Sequence, residues 1–139
     1  MPERDFDPAP GGWERLPDGG FIELIGPLWR RSVEGRPEFA FLAGERHLNR
    51  GGVIHGGMLL TFADHAIGMT CWAENGFKPQ VTISLDTQFI SAVQAGELAV
   101  AECELVRKTR SLLFGRATIR VEDRVCLIAQ GVWKVLEQR

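Results

Sequence analysis

The middle of the chain contains a long segment that is apolar on nearly every side. Within residues 57–73 the only side chains that can carry charge are Asp64 and His65. The spacing predicts a helix over these residues, with Gly76 near its end as a stop signal. A helix that is apolar almost all round is a buried helix, so other elements must wrap it.

The residues after this helix follow the pattern of a sheet. In residues 81–89 apolar and polar side chains alternate, which predicts a strand. The pattern places Val81, Ile83, Leu85 and Phe89 on one face and Thr82, Ser84, Asp86 and Gln88 on the other. Three more extended runs are predicted at residues 98–107, 112–122 and 125–136. A helix followed by four long antiparallel strands predicts an α+β protein, in which a curved antiparallel sheet wraps a long central helix.

The first twenty residues differ from the rest in composition. They hold four of the seven prolines and four of the sixteen glycines, which predicts an irregular N-terminal arm over residues 1–20 and a single domain over residues 21–139. Within that domain an extended pair is expected at residues 28–34 and 38–43. Residues 21–26 fit a strand or a helical turn equally well.

The composition and charge of the chain limit its partners. It is 45% hydrophobic and 24% charged, with a net charge of −2, which gives no electrostatic reason to expect nucleic acid or a membrane surface. No apolar run is long enough to span a bilayer, and the first residues lack a signal-peptide pattern, so a cytoplasmic protein is expected. Cys71, Cys103 and Cys126 are odd in number and widely spaced, which indicates reduced core residues and no metal site.

Asp64 is the unusual residue of the predicted helix. None of its neighbours three, four or seven residues away is a counter-ion. An ionised carboxylate buried without partners costs several kcal/mol, so Asp64 needs partners from elsewhere in the fold or must be neutral. The alternative is a structural acid that is paired with an arginine or exposed. Gly68, one turn along the same face, is expected to leave room for a ligand, whereas His65 lies about 100° round the helix and is interpreted as structural.

The tripeptide His55-Gly56-Gly57 comes directly before the helix. Backbone N–H groups are unpaired there and the helix dipole favours negative charge. The Gly56 N–H is therefore suited to donate a hydrogen bond to a polarised carbonyl oxygen, as in an oxyanion hole. The alternative is a glycine-rich turn in which the histidine only caps the helix. Asn49, six residues before His55, is suited to bind a water or to orient a loop.

Together, Asn49, His55-Gly56 and Asp64 at these spacings resemble the signature of hotdog-fold acyl-CoA thioesterases, in particular the PaaI-type group. The resemblance covers residues 25–136. It implies that His55 and the Gly56 N–H polarise the thioester carbonyl, that Asp64 acts as general base or as nucleophile, and that Asn49 holds the water or the thioester. A hydroxyl at Thr82, eighteen residues after the aspartate, would help to place the water.

The resemblance also implies an assembly and a substrate. The site would lie at a dimer interface, where Asp64 and Thr82 face His55 and Asn49 of the other subunit, so a homodimer or a homotetramer is expected. The substrate would be an acyl-CoA, with coenzyme A as part of the substrate and with no bound cofactor or metal. The acyl group, the choice between dimer and tetramer, and the choice between base and nucleophile stay open.

The chain departs from the family pattern at three places. Ser84 stands where an acid is frequent, Ala92 stands where a proline is common, and the turn at residues 107–111 lacks the usual glycine beside a basic residue. The third departure bears on how coenzyme A is held. Three residues of this turn, Arg107, Lys108 and Arg110, form the densest basic cluster of the chain and are candidates for the coenzyme A phosphates. A solvated hairpin tip is an equal alternative.

Two other functions compete with hydrolysis of an acyl-CoA to the free acid and coenzyme A. One is a hotdog hydratase or dehydratase acting on enoyl or 3-hydroxyacyl thioesters, which needs an acid and a histidine in another arrangement. The other is a non-catalytic acyl-CoA-binding protein. Hydrolysis is favoured because the motif and the apolar helix occur together.

Overall fold

The computed structural model describes residues 6–137, in which one long helix packs against a single sheet. The helices are α1 (Gly20–Ile25) and α2 (Gly56–Glu74), with short 3₁₀ turns at Ala9–Gly11 and Glu45–His47. The strands are β1 (Glu14–Arg15), β2 (Trp29–Val33), β3 (Arg36–Leu42), β4 (Gln80–Phe89), β5 (Leu98–Lys108), β6 (Leu112–Val121) and β7 (Arg124–Val135).

The seven strands form one sheet in the order β1-β2-β3-β5-β6-β7-β4. All the neighbours pair antiparallel. Among the described strands, β4 pairs only with β7, so one side of β4 is a free edge of the sheet within residues 6–137. The α+β architecture with a central helix against a curved antiparallel sheet is confirmed.

Helix α2 is buried against one side of the sheet, which is called the inner face below. Phe62, Ala63, Ala66, Ile67 and Cys71 are each fully buried. Burial of an apolar helix surface removes that surface from water, which is the main favourable term in folding. No helix within residues 6–137 is long and apolar enough to cross a membrane.

A glycine of β6 allows the helix to approach the sheet closely. A Cβ atom built on Gly115 would lie 2.5 Å from Ile67 Cγ2 and 3.0 Å from Cys71 Sγ. Both contacts are shorter than van der Waals packing allows, so a side chain at this position would push α2 away from the sheet.

The ends of the elements lie near their predicted positions. Helix α2 is one residue longer at each end than predicted, and residues 21–26, which fit two structures, are mostly helical as α1. The N-terminal segment contributes the two-residue strand β1 at the edge of the sheet. Trp13 is 7% exposed and packs on the side of the sheet opposite α2, against Ala40 and Val100.

The strict alternation predicted for β4 is wrong at the start of the strand. Thr82 is paired with Trp133, but Ser84 is paired with Val132, so Ile83 is an extra residue in a β-bulge. In a bulge, two residues of one strand lie opposite a single residue of the partner strand. The alternation of side chains between the two faces therefore shifts by one residue at the bulge. Thr82 therefore lies on the same face as Leu85, which packs against the core beside α2.

Candidate functional site

Asp64 and Thr82 meet where α2 packs against β4. The Thr82 hydroxyl donates a hydrogen bond of 2.8 Å to Asp64 Oδ1. Asp64 is half-buried and Thr82 is exposed. No lysine or arginine within residues 6–137 forms an ion pair with Asp64. The carboxylate therefore has a hydroxyl partner and no neutralising charge, which is the arrangement of a proton acceptor rather than of a structural ion pair.

The expected space beside Gly68 is occupied. A Cβ atom built on Gly68 would lie 3.3 Å from the indole Nε1 of Trp133. Trp133 is 2% exposed, and its ring fills the position that the sequence assigned to a ligand. The absence of a side chain at Gly68 thus allows α2 to pack on Trp133, and that part of the prediction is wrong.

His55 is the N-cap of α2. Its backbone lies at φ −58° and ψ 133°, and its Nδ1 accepts a hydrogen bond of 2.8 Å from the Gly57 N–H. In a neutral imidazole whose Nδ1 is an acceptor, Nε2 carries the proton. Since His55 is exposed, this Nε2–H is available to a ligand. The capping role and the carbonyl-polarising role are therefore compatible.

The Gly56 N–H is the first amide of α2 and has no acceptor within the described part of the chain. The helix dipole adds partial positive charge at this end. The aromatic ring of Phe89, at the end of β4, lies alongside, because a Cβ atom on Gly56 would be 3.1 Å from Phe89 Cε1. The alternation along β4 predicts only the face of Phe89, and nothing in its spacing indicates this contact.

Asn49 orders the loop that leads to the helix. Its Oδ1 accepts hydrogen bonds from the N–H groups of Gly51 (2.9 Å) and Val53 (3.2 Å). Its backbone also pairs with Val53, whose carbonyl accepts from the Asn49 N–H at 2.7 Å. Of the two roles that were open for this residue, orientation of a loop is the one observed in the single chain.

Asp64, the candidate base, and the Gly56 N–H, the candidate oxyanion donor, are far apart in one protomer. Gly56 and Asp64 are eight residues apart on α2, which corresponds to about 12 Å along the helix axis. A base and an oxyanion donor that serve one carbonyl must both lie about 3 Å from the reacting atoms. One protomer therefore does not bring its own Asp64 and Gly56 to the same thioester.

The basic turn between β5 and β6 lies at the other end of α2. Lys108 Nζ donates a hydrogen bond of 2.9 Å to the carbonyl of Glu74, the last residue of the helix. Arg107 and Arg110 are exposed. Lys108, which is exposed as well, thus interacts favourably with the helix C-terminus, and it differs from the two arginines by this hydrogen bond.

His65 faces away from the candidate site, toward the N-terminal arm. Its Nε2 lies 3.4 Å from Asp18 Oδ1, a close contact without hydrogen-bond geometry. This position agrees with the structural interpretation of His65. Within residues 6–137, no group of three or more His, Cys, Asp or Glu side chains is arranged to hold a metal ion.

The three cysteines are free and buried. Burial raises the pKa of Cys71 and of Cys103 to about 12. Thiols with such pKa values are neutral at physiological pH and are poor nucleophiles. They are core residues, as the sequence predicted.

Comparison with known proteins identifies the family. The profile of the Thioesterase superfamily matches residues 51–128, which is more than half of the chain. This match spans α2, the strands β4, β5 and β6 and the start of β7, and it includes Gly56, Asp64 and Thr82. The chain belongs to the Thioesterase superfamily, and its fold is the hotdog fold.

The individual relatives place the chain near the PaaI-type group. The phenylacetic acid degradation protein PaaI of Thermus thermophilus, solved as an Asn-to-Asp mutant, is 26% identical with a TM-score of 0.73, over 84% of this chain and 98% of that one. A conserved protein of Pseudomonas aeruginosa is 29% identical with a TM-score of 0.79, over 86% and 95%. Acyl-coenzyme A thioesterase 13 of Mus musculus is 26% identical over 63% of this chain and 62% of its own. The resemblance stated from the sequence is confirmed.

Proposed function

We propose that the protein hydrolyses acyl-CoA thioesters to the free acid and coenzyme A. The observation that carries the proposal is the pair formed by Asp64 and Thr82, a carboxylate on an apolar helix whose partner is a hydroxyl and not a cation. Membership of the Thioesterase superfamily supports the same chemistry, and so does the similarity to a mammalian acyl-coenzyme A thioesterase.

In the proposed reaction, the carbonyl oxygen of the thioester is bound by the Gly56 N–H and the His55 Nε2–H. A water held between Asp64 and the Thr82 hydroxyl attacks the carbonyl carbon, and Asp64 takes its proton. A C–O bond forms, the C–S bond breaks, and the proton passes to the thiolate of coenzyme A. Direct attack by the Asp64 carboxylate, followed by hydrolysis of the resulting anhydride, is the alternative route for the same residues.

A site of this kind needs two copies of the chain. Asp64 and Gly56 of one protomer are about 12 Å apart along α2, whereas Asp64 of one protomer opposite Gly56 of another gives the required proximity. Strand β4 supports this assembly, because it is a free edge with apolar side chains that are more than half exposed, Ile83 at 55% and Phe89 at 57%; Phe77, three residues before the strand, is 61% exposed. Such an edge is typical of an interface. We therefore propose a homodimer, alone or paired into a tetramer.

Coenzyme A would be held through its phosphates by Arg107 and Arg110. Both arginines are exposed, and their turn lies ten residues from Asp64 along α2, about 15 Å. This separation suits the long pantetheine arm that joins the thioester to the nucleotide. Lys108 would attract the phosphates through its charge without contacting them, because its ammonium group is hydrogen-bonded to the carbonyl at the helix C-terminus. The substrate carries coenzyme A itself, and no further cofactor or metal is proposed.

A thiol-release assay tests the proposed function. The purified protein is mixed with aromatic, short-chain and long-chain acyl-CoA substrates, and free coenzyme A is measured with a disulfide dye. Asp64→Asn keeps the shape and removes the basicity, so kcat should fall by about two to four orders of magnitude with KM nearly unchanged. Thiol release at the wild-type rate by Asp64→Asn would reject the assignment of Asp64.

The same experiment separates the competing functions. Tight binding of acyl-CoA without thiol release would indicate a non-catalytic binding protein. Loss of enoyl-CoA absorbance without thiol release would indicate a hydratase. The expected cytoplasmic location stays a prediction.

A further inference from the structure

Gln80, the first residue of β4, is bonded through its side chain to both the body and the end of α2. Its Nε2 donates to the Gly68 carbonyl at 2.8 Å, and its Oε1 accepts from Asn75 Nδ2 at 2.9 Å. Asn75 is the C-cap of α2 and is 4% exposed. It also bonds both backbone groups of Lys78, with its Oδ1 accepting at 2.7 Å and its Nδ2 donating at 3.2 Å. The pair is called the Gln80–Asn75 clamp below.

The amide orientations in the clamp are fixed by its two ends. The Gly68 carbonyl can only accept, so the nitrogen of Gln80 must face it. The Lys78 N–H can only donate, so the oxygen of Asn75 must face that group. The remaining oxygen of Gln80 and nitrogen of Asn75 then face each other with the correct polarity. Neither amide can be reversed without loss of hydrogen bonds.

Two side-chain contacts join α2 to β4 side by side. One is the contact of Gly68 with Gln80 in the clamp, and the other is the contact of Asp64 with Thr82. Gly68 lies four residues after Asp64 on the helix, which is about 6 Å of rise. Gln80 lies two residues before Thr82 on the strand, which is about 6.6 Å. The contact of Gly68 with Gln80 and the contact of Asp64 with Thr82 therefore fit only one register of the strand on the helix.

Apart from the clamp, the start of β4 is held by its pairing with β7, where Gln80 and Thr82 lie opposite Val135 and Trp133. The strand is at the edge of the sheet and pairs only with β7. The bulge at Ile83 follows Thr82 directly and interrupts the ladder of hydrogen bonds. Val81 and Ile83 are 46% and 55% exposed and do not anchor the strand in the core. A shift of one residue would turn the Thr82 hydroxyl away from α2.

We propose that Gln80 is a positioning residue for the reaction. The Gln80–Asn75 clamp fixes the register of β4 on α2, and through it the position of the Thr82 hydroxyl on Asp64. The effect on catalysis rests on the proposed function of Asp64 and Thr82. The effect on the Thr82 side chain rests on the clamp alone, and this difference makes the two claims separable.

The kinetic test is a double-mutant cycle. Gln80→Met keeps length and volume but removes both hydrogen bonds, and Thr82→Val removes the hydroxyl. Gln80→Met should lower kcat about three- to tenfold with KM changed less than about twofold. If Gln80 acts through Thr82, the double variant should be within about twofold of Thr82→Val alone. The matched control is Gln130→Met, the same substitution at an exposed position of β7, which should leave kcat unchanged.

A second readout does not depend on activity. Three-bond couplings to the methyl carbon of Thr82, measured by NMR, report the rotamer of its side chain. One rotamer is expected in the wild type and in Gln130→Met, and averaging between rotamers is expected in Gln80→Met. Gln80→Glu places an oxygen against the Gly68 carbonyl, so it should behave in the same way. It replaces Gln80→Met if that variant does not fold.

The outcomes distinguish the claims. Unchanged Thr82 couplings in the folded Gln80 variants would reject the positioning role. The role would also be rejected if the loss of kcat in the double variant equalled the product of the losses in the two single variants. A wild type without thioesterase activity, together with averaged couplings in Gln80→Met, would reject the proposed function and leave the clamp as the device that holds Thr82.

Discussion

Replacement of Gly56 by proline removes the proposed oxyanion donor with little change to the helix. Proline is favoured at the first position of a helix, where its missing N–H has no helical partner. His55, which would precede the proline, has ψ 133° and so lies in the extended region that a residue before proline prefers. The added atoms would meet the ring of Phe89, with the Cβ 3.1 Å from Cε1. That ring is 57% exposed and can shift.

Gly56→Ala is the matched control, because it makes the same contact with Phe89 and keeps the N–H. One oxyanion donor typically contributes about 3–4 kcal/mol to the barrier, or about 10²–10³ in kcat. We therefore expect a loss of this size in Gly56→Pro and a loss below about tenfold in Gly56→Ala, with KM similar in both. Rates are measured by thiol release, and thermal unfolding checks the fold. Equal rates in the two folded variants would refute the role of this amide.

Three further predictions follow from contacts elsewhere in the molecule. Gly115→Ala places a Cβ 2.5 Å from Ile67 Cγ2 and 3.0 Å from Cys71 Sγ, so urea unfolding at fixed protein concentration should show a loss of about 1–3 kcal/mol; an unchanged midpoint would show that α2 can move. Because burial raises the pKa of Cys71 and Cys103 to about 12, only about one thiol in ten thousand is ionised at pH 8. The native protein should therefore react with a thiol dye far more slowly than the protein in denaturant, and rapid labelling of both residues would contradict their burial. Arg110→Ala should raise KM about tenfold for an acyl-CoA and leave KM unchanged for the matching pantetheine thioester; equal effects on both would exclude contact with the nucleotide.

Much of the fold could be predicted from local pattern. Helix α2 was predicted within one residue at each end because seventeen successive positions contain one acid and one histidine and are otherwise almost all apolar, which is typical of a buried helix. The last three strands were predicted because their turns contain charged residues and glycine. The two-residue strand β1 was not predicted, since it exists through pairing with β2 and has no pattern of its own.

The face of Thr82 shows where pattern reasoning fails. Alternation along β4 placed Thr82 opposite Leu85, but the bulge at Ile83 brings both to the inner face. The bulge is set by the register with β7, which is not local information. Thr82 was found as a site residue through the resemblance and not through the pattern of the strand.

Two other parts of the site depend on contacts between distant residues. Gly68 was interpreted as space for a ligand because the sequence does not show which side chain of β7 crosses it. Trp133 does so, sixty-five positions later in the chain. Gln80 was not singled out, because a glutamine after a polar turn is ordinary, and its role appears only when Asn75 and the Gly68 carbonyl are placed beside it.

Complementation between two inactive variants tests the central claim most directly. Asp64→Asn and Gly56→Pro are unfolded together in equal amounts and refolded, and native mass spectrometry confirms that mixed dimers form. Half of the dimers are then mixed, and each mixed dimer holds one intact site of two if Asp64 faces the other subunit's Gly56. The mixture should recover about a quarter of the wild-type thioesterase activity. Activity no greater than the average of the two parents, with mixed dimers present, would contradict a site shared between subunits.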